Sequence, residues 1–252
     1  MKPLVWQALR QALDQDQLVV LTTIVAGPDT GRQALWRPEN PGSKILEKVC
    51  GTLEDPALES AVSIRGGELL SSFANERRTF ESARGEVEVF LEVHPPPPRL
   101  IIVGAVHVAI PLIHFAKTLG FKTLVVDPRT AFATEERFPH ADQLLTDWPD
   151  EALEQLGLDE NTFLALLSHD LKLDLPSLRV ALPSPVRYIG ALGSKKTHGK
   201  RLSALREMGF EDEAFDRIHN PIGLNLGGRR AEEIAVAIAA EMVAVSHGRR
   251  SS

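Results

Sequence analysis

The sequence predicts an α/β fold, in which a doubly wound parallel sheet is preceded by a smaller mixed α+β domain. Three observations carry that prediction. First, Arg99 to Arg129 (RLIIVGAVHVAIPLIHFAKTLGFKTLVVDPR) reads as strand, glycine turn, helix and strand, the opening unit of a Rossmann-like domain. Its two strand runs, Leu100 to Val103 and Leu124 to Val126, are almost purely aliphatic, as parallel strands buried on both faces must be. Second, strand and helix patterns keep alternating as far as Ser246. Third, four prolines (Pro95 to Pro98) interrupt the chain after a strictly alternating strand and form a stiff extended spacer. The expected organisation is an N-terminal domain over residues 1–94, a linker over 95–98 and a Rossmann-like domain over 99–252.

In the first domain, Val5, Trp6, Leu9, Ala12 and Leu13 are spaced for one face of a short helix. Gln17 to Val25 (QLVVLTTIV) is β-branched and apolar, hence a strand. Turns follow at Gly27 to Gly31 and Pro38 to Gly42, on either side of a short strand at Ala34 to Trp36. Pro56 to Ile64 reads as a helix, and Glu68 to Phe73, Arg77 to Phe80 and Glu86 to Val93 read as strands. In the last of these Val87, Val89, Leu91 and Val93 share one side, so the sheet is expected to have one wet face.

In the second domain, Pro111 sits early in the helix after Gly104. Either it kinks that helix or the regular part begins there. Beyond Arg129, Gln143 to Leu145, Thr162 to Leu167 and Val186 to Ala191 read as strands, and Asp150 to Leu156 as a helix. Ser194 caps a helix running to Met208 before Gly209. Ala231 to Ser246 is the clearest helix, with Glu232 and Glu233 in the first turn where the helix dipole favours them.

The 252 residues are 43% hydrophobic and 25% charged, enough for two domains with real cores. A formal net charge of -6 argues against a general nucleic-acid or membrane-surface binder. A single cysteine, Cys50, excludes an intramolecular disulfide and any multi-cysteine metal site, and points to a reducing compartment. With no leader-like start and no apolar run near the roughly twenty residues that span a bilayer, the expected location is the cytoplasm.

In a doubly wound sheet, ligands gather at the carboxyl ends of the strands. Four loops meet that condition: Gly104 to His107, Asp127 to Arg129, Ser168 to Asp170 and Gly190 to Lys196. The glycine-rich segment His219 to Gly228 feeds the last helix beside them. The turn Gly104-Ala105-Val106-His107-Val108-Ala109 occupies the place of the dinucleotide fingerprint G-x-G-x-x-G/A, but Val106 replaces the glycine that admits a pyrophosphate. Asp127 stands where an acid would bind a ribose hydroxyl, followed directly by Pro128 and Arg129. Ser168-His169-Asp170 suits a nucleophilic triad, ligand hydrogen bonding or a loop-stabilising role, although adjacent residues rarely face one another. His107 suits either a ligand contact or a local helix-start role. A metal site from His140, His169, Asp170 and Asp174 is not singled out by spacing, and no metal is expected.

Gly193-Ser194-Lys195-Lys196 is more telling. Two lysines in the first turn of a helix oppose the dipole, a conflict that a docked anion removes, phosphate at a helix N-terminus being the usual case. Two side chains splayed into solvent and screened by salt are the alternative.

GAVHVAIPL, LGFKTLVVDPR with FATEERFPHAD, the SHD after a strand, YIGALGSKK, NPIGLNLGG and EEIAVAIAAEM resemble, in order and spacing, the XdhC/CoxI family of molybdoenzyme accessory proteins. The resemblance covers Arg99 to about Val245 and is faint before it. It implies a protein that binds molybdenum cofactor (molybdopterin carrying the metal), protects it during sulfuration and helps insert it into a xanthine dehydrogenase-type enzyme, without turnover of its own. A cysteine desulfurase as a further partner and a homodimer are also implied. The implied cofactor-binding set is Gly104, His107, Asp127, Arg129, His169, Asp170, Gly193, Ser194, Lys195 and Lys196, with Gly223, Asn225 and Gly227 lining the pocket, and no catalytic residue.

The chain departs from the family pattern at several positions. Val106 replaces a glycine, Ala83-Arg84-Gly85 stands where the family has Cys-Gly-Gly, and Asn225, Arg230 and Ala237 replace Asp, Pro and Ser. Two other readings follow from the same residues. One is an NAD(P)- or FAD-dependent oxidoreductase, which Val106 and the lack of an acid/base pair oppose. The other is a degenerate Rossmann assembly subunit without a ligand, which the missing cysteine favours.

Overall fold

The computed structural model describes residues 3–40 and 42–249. Pro41, within the expected turn at Pro38 to Gly42, lies outside them. The chain divides into two compact units, Met1–Pro96 and Pro97–Ser252.

The first unit runs α1 (Pro3–Asp14), β1 (Val19–Ala26), β2 (Gln33–Pro38), β3 (Leu46–Gly51), α2 (Pro56–Leu69), β4 (Glu76–Ser82) and β5 (Gly85–His94). Its antiparallel sheet has the order β3-β2-β1-β5-β4. Val20, Ile24, Val89 and Leu91 pack with Leu58 and Val62 of α2, whereas Val19, Leu21 and Leu35 pack with Val5, Leu9 and Ala12 of α1. The expectation of one wet face therefore needs correcting, because α1 covers the second face where β1 and β2 run and β1 is apolar on both sides. Trp6 and Leu13, expected on the inner face of α1, are instead 51% and 42% exposed.

Glu68 to Phe73 is not a strand. The helical spacing of Leu58, Val62, Gly66 and Leu69 carries α2 through to Leu69. Gly67 lets α2 close onto the chain before β3, since a Cβ there would lie 1.8 Å from the Lys44 carbonyl oxygen. The edge strand β3 escaped the sequence reading because Glu47 and Lys48 interrupt any apolar pattern, a common device for blunting an edge.

The second unit runs β6 (Arg99–Val103), α3 (Ala109–Thr118), β7 (Lys122–Val126), β8 (Gln143–Leu145), α4 (Pro149–Leu156), β9 (Thr162–Leu166), α5 (Leu171–Ala181), β10 (Tyr188–Ala191), α6 (Lys195–Glu207), α7 (Asp212–Phe215), β11 (Ile218–His219) and α8 (Ala231–Ser246). The sheet order is β11-β10-β9-β6-β7-β8, with every pairing parallel. This is the Rossmann order, and its direction reverses between β6 and β9. Alternation along β6 feeds two cores: Leu100 and Ile102 join α3 and α8 on one face, and Ile101 and Val103 join α4, α5 and α6 on the other.

Pro111 falls in the first turn of α3, where its missing N–H removes no helical bond, so the regular helix begins there. The helix α5 was not foreseen, because Leu171, Leu173 and Leu175 alternate like a strand and Pro176 reads as a breaker.

Candidate functional site

The carboxyl ends of β6, β7, β9 and β10 form one edge, and the loops leaving them are knitted together by named contacts. Gly104 has φ +106° and donates its N–H to the Val126 carbonyl. A Cβ on Gly104 would lie 3.0 Å from the backbone N, Cα and Cβ of Ser168, so only glycine lets the β6 and β9 loops touch. Val106 is half-buried and packs against the core on the α3 and α8 face, while His107 is exposed.

Asp127 ends β7 with its side chain fully buried. Its carboxylate accepts the Ala105 N–H at 2.7 Å, the Arg129 N–H at 3.0 Å, and Nε and Nη2 of Arg129 at 2.8 and 2.6 Å. Burial alone would raise its pKa, but the Arg129 guanidinium and the two backbone N–H groups outweigh that and hold it below the usual carboxylate range. Arg129 also lies over the exposed Phe132 ring, with its guanidinium carbon 4.8 Å from the ring centre.

The Ser168-His169-Asp170 loop sends its three side chains to different tasks. The Ser168 hydroxyl donates to Asp174 at 2.7 Å, Asp170 caps α5 by accepting the Lys172 N–H at 2.9 Å, and His169 is exposed with φ +58°. No nucleophile faces a base in this loop, so the triad arrangement is not formed. Among the described residues no group of three His, Cys, Asp or Glu side chains could hold a metal ion.

The β10 to α6 turn presents the basic pair. Ser194 is the N-cap, its Oγ accepting the Thr197 N–H at 3.2 Å, and Lys195 and Lys196 are both exposed. Among the described residues neither lysine has a carboxylate partner. Beneath them lies a group that sequence reasoning missed. Arg201 is fully buried and bonds Asp174 at 2.5 Å and the Leu192 carbonyl at 3.1 Å. Burial first, then the charge of Arg201, lower the pKa of His198, which favours its neutral imidazole.

The glycine-rich segment after β11 folds against the same turn, since Asn220 Nδ2 and the Ile222 N–H both donate to the Ala191 carbonyl. Gly223 donates to Glu241, a carboxylate within the α8 core that also accepts the Tyr188 hydroxyl at 2.5 Å and lies 3.3 Å from His219 Nδ1. Asn225 and Gly227 are exposed. The one sequence signal for this second buried network was Glu241 itself, an acid on the apolar side of α8.

Fold and edge define a Rossmann-type protein with a basic helix start at the carboxyl edge of its parallel sheet. The chain belongs to the XdhC family, since the family model described as the XdhC Rossmann domain matches residues 100–242.

Among curated proteins, it is 31% identical over 155 residues to a probable xanthine dehydrogenase subunit of Bacillus subtilis, covering 62% of this chain and 45% of that one. It is 39% identical over 88 residues to the molybdenum cofactor insertion chaperone PaoD of Escherichia coli, covering 35% of this chain and 28% of the other. It is also 31% identical over 164 residues to the uncharacterized protein YqeB of Escherichia coli, covering 65% and 30%. The matched stretches span less than half the length of each of these relatives. A crystal structure of a xanthine dehydrogenase from Bacillus halodurans shares the fold, with a TM-score of 0.56 at 20% identity over 97% of this chain and 96% of that one.

Proposed function

We propose that this protein binds molybdenum cofactor as cargo and helps deliver it to a xanthine dehydrogenase-type molybdoenzyme, without catalytic turnover of its own. One observation carries the reading: two exposed lysines, without a carboxylate partner among the described residues, at the capped N-terminus of α6 on the ligand edge of a Rossmann sheet. A phosphate there would take backbone N–H bonds from the helix start and charge-assisted bonds from the lysines. Gly104, His107, Asp127, Arg129, His169, Asp170, Gly193, Ser194, Gly223, Asn225 and Gly227 would complete the pocket, with Asp127 acting through Arg129. The names of the Bacillus subtilis and PaoD relatives support the client and the cargo.

Protection and sulfuration are the finer part of the proposal. The segment standing for Cys-Gly-Gly is the β4 to β5 turn, where the Ala83 N–H donates to Asp55, the N-cap of α2. That turn has no thiol, and Cys50 lies half-buried on β3 with its pKa raised by burial. Sulfur would therefore come from a partner of the cysteine desulfurase type.

The test is to mix the purified chain with molybdenum cofactor released from a molybdoenzyme, pass it through gel filtration, and assay the protein peak for pterin and molybdenum. Co-elution of both at the protein peak is expected. Cofactor eluting only with small molecules would refute the proposal.

A further inference from the structure

At the end of the second strand of a Rossmann sheet, dinucleotide-binding proteins place an acid whose free carboxylate accepts the ribose hydroxyls. Asp127 stands at that position at the end of β7, but none of its capacity faces the ligand edge. Both oxygens are engaged by Ala105 and Arg129, and the side chain has no solvent exposure, whereas that of Arg129 is 38% exposed.

We infer that Arg129 is a specificity-determining residue, which converts the β7 end of the ligand edge from an acceptor of a ribose diol into a donor site for a phosphate or a carbonyl-bearing ring. The inference names the ligand chemistry of the site proposed above and rests on the reading that ligand lies along this edge.

The geometry leaves little freedom for any other arrangement. Nε and Nη2 grip Asp127 side-on, which uses two of the five guanidinium N–H groups and leaves three for a ligand. The Phe132 ring lies against the guanidinium, and the Arg129 backbone N–H also bonds Asp127, so side chain and loop are fixed together. The hydrogen bonds to Asp127 first, then its charge and lastly that of Asp170, outweigh burial and raise the pKa of Arg129, which keeps it protonated. A ribose diol, which this position of the fold ordinarily holds by donating to a free carboxylate, finds both Asp127 oxygens already engaged. A phosphate oxygen or a ring carbonyl meets the donors it needs.

The test uses NAD+ as probe in a Val106→Gly background, which removes the branched side chain from the pyrophosphate turn. Calorimetry compares that variant with Val106→Gly/Arg129→Met, in which the methionine stem can still cover Phe132 while Asp127 loses the guanidinium and keeps only its two backbone N–H bonds. At least tenfold tighter NAD+ binding is expected in the double variant, and adding Asp127→Asn should cancel the gain. Arg129→Ala in the same background is the second variant, and thermal midpoints are recorded for all of them. Unchanged NAD+ affinity in a folded Arg129 variant, or a gain that survives Asp127→Asn, would overturn the inference. No arm uses molybdenum cofactor, so failure of the proposed function and failure of this inference are separately visible.

Discussion

Asp174 and Arg201 form an ion pair with no solvent exposure on either side chain, Nη2 to Oδ2 being 2.5 Å. The remaining carboxylate oxygen takes the Ser168 hydroxyl, and the guanidinium reaches the Leu192 carbonyl, so one network joins the ends of β9 and β10 to α5 and α6. Removing one member of a buried pair strands the other charge, at a cost of about 3–5 kcal/mol. Arg201→Met should therefore lower the thermal midpoint by roughly 6–20 °C for a chain of this size. Lys200→Met, an exposed site on the same helix, should stay within about 0.5 kcal/mol of wild type. Equal midpoints for the two variants would show that the pair contributes nothing net.

The second expectation concerns the proposed anion site. Each charge-assisted bond from a lysine to phosphate contributes roughly 1.5–3 kcal/mol, and 1.4 kcal/mol already corresponds to tenfold in affinity. Lys195→Glu should weaken retention of molybdenum cofactor at least about tenfold. The midpoint without ligand should hold or rise slightly, because an acid suits the start of α6. Unchanged retention at an unchanged midpoint would move the pocket elsewhere, and a collapsed midpoint would make Lys195 structural.

Glu241 sets the third, a pH dependence. Burial raises its pKa, but the bonds from His219, Tyr188 and Gly223 outweigh that, and the net direction is downward. A carboxylate with a lowered folded pKa contributes stability above its unfolded value, near 4.3, and loses it as pH falls through the folded value. Wild-type stability should drop between about pH 5 and 3, and Glu241→Gln should remove part of that slope while costing stability at pH 7. Parallel pH profiles in urea melts would show that Glu241 contributes no linkage.

Cys50 is the subject of the fourth. Its half-buried place on β3 and its raised pKa leave little thiolate at neutral pH. Cys50→Ser should leave cofactor retention unchanged. Loss of retention without loss of fold would mean that this thiol handles the cargo after all.

Local pattern made most of the scaffold legible. The aliphatic runs at Leu100 and Leu124, the glycine at 104, the serine cap at 194 and the acids opening α8 each act over a few residues, and each lies where the sequence put it. The same reading mistook Glu68 to Phe73 for a strand and passed over α5, because an apolar run next to serines, or one broken by Pro176, is ambiguous without a packing partner.

By itself, the sequence determined the Rossmann-like sheet, the family resemblance and the basic helix start, all of which are properties of order and spacing along the chain. Only the tertiary structure decided which polar groups are used up. It paired Asp127 with Arg129, turned Ser168 away from His169 towards Asp174, and buried Arg201 and Glu241. The physical reason is that a buried charge is stable only with partners, and in these networks most of the partners come from other elements, as much as 53 residues away along the chain, whose approach no local spacing encodes.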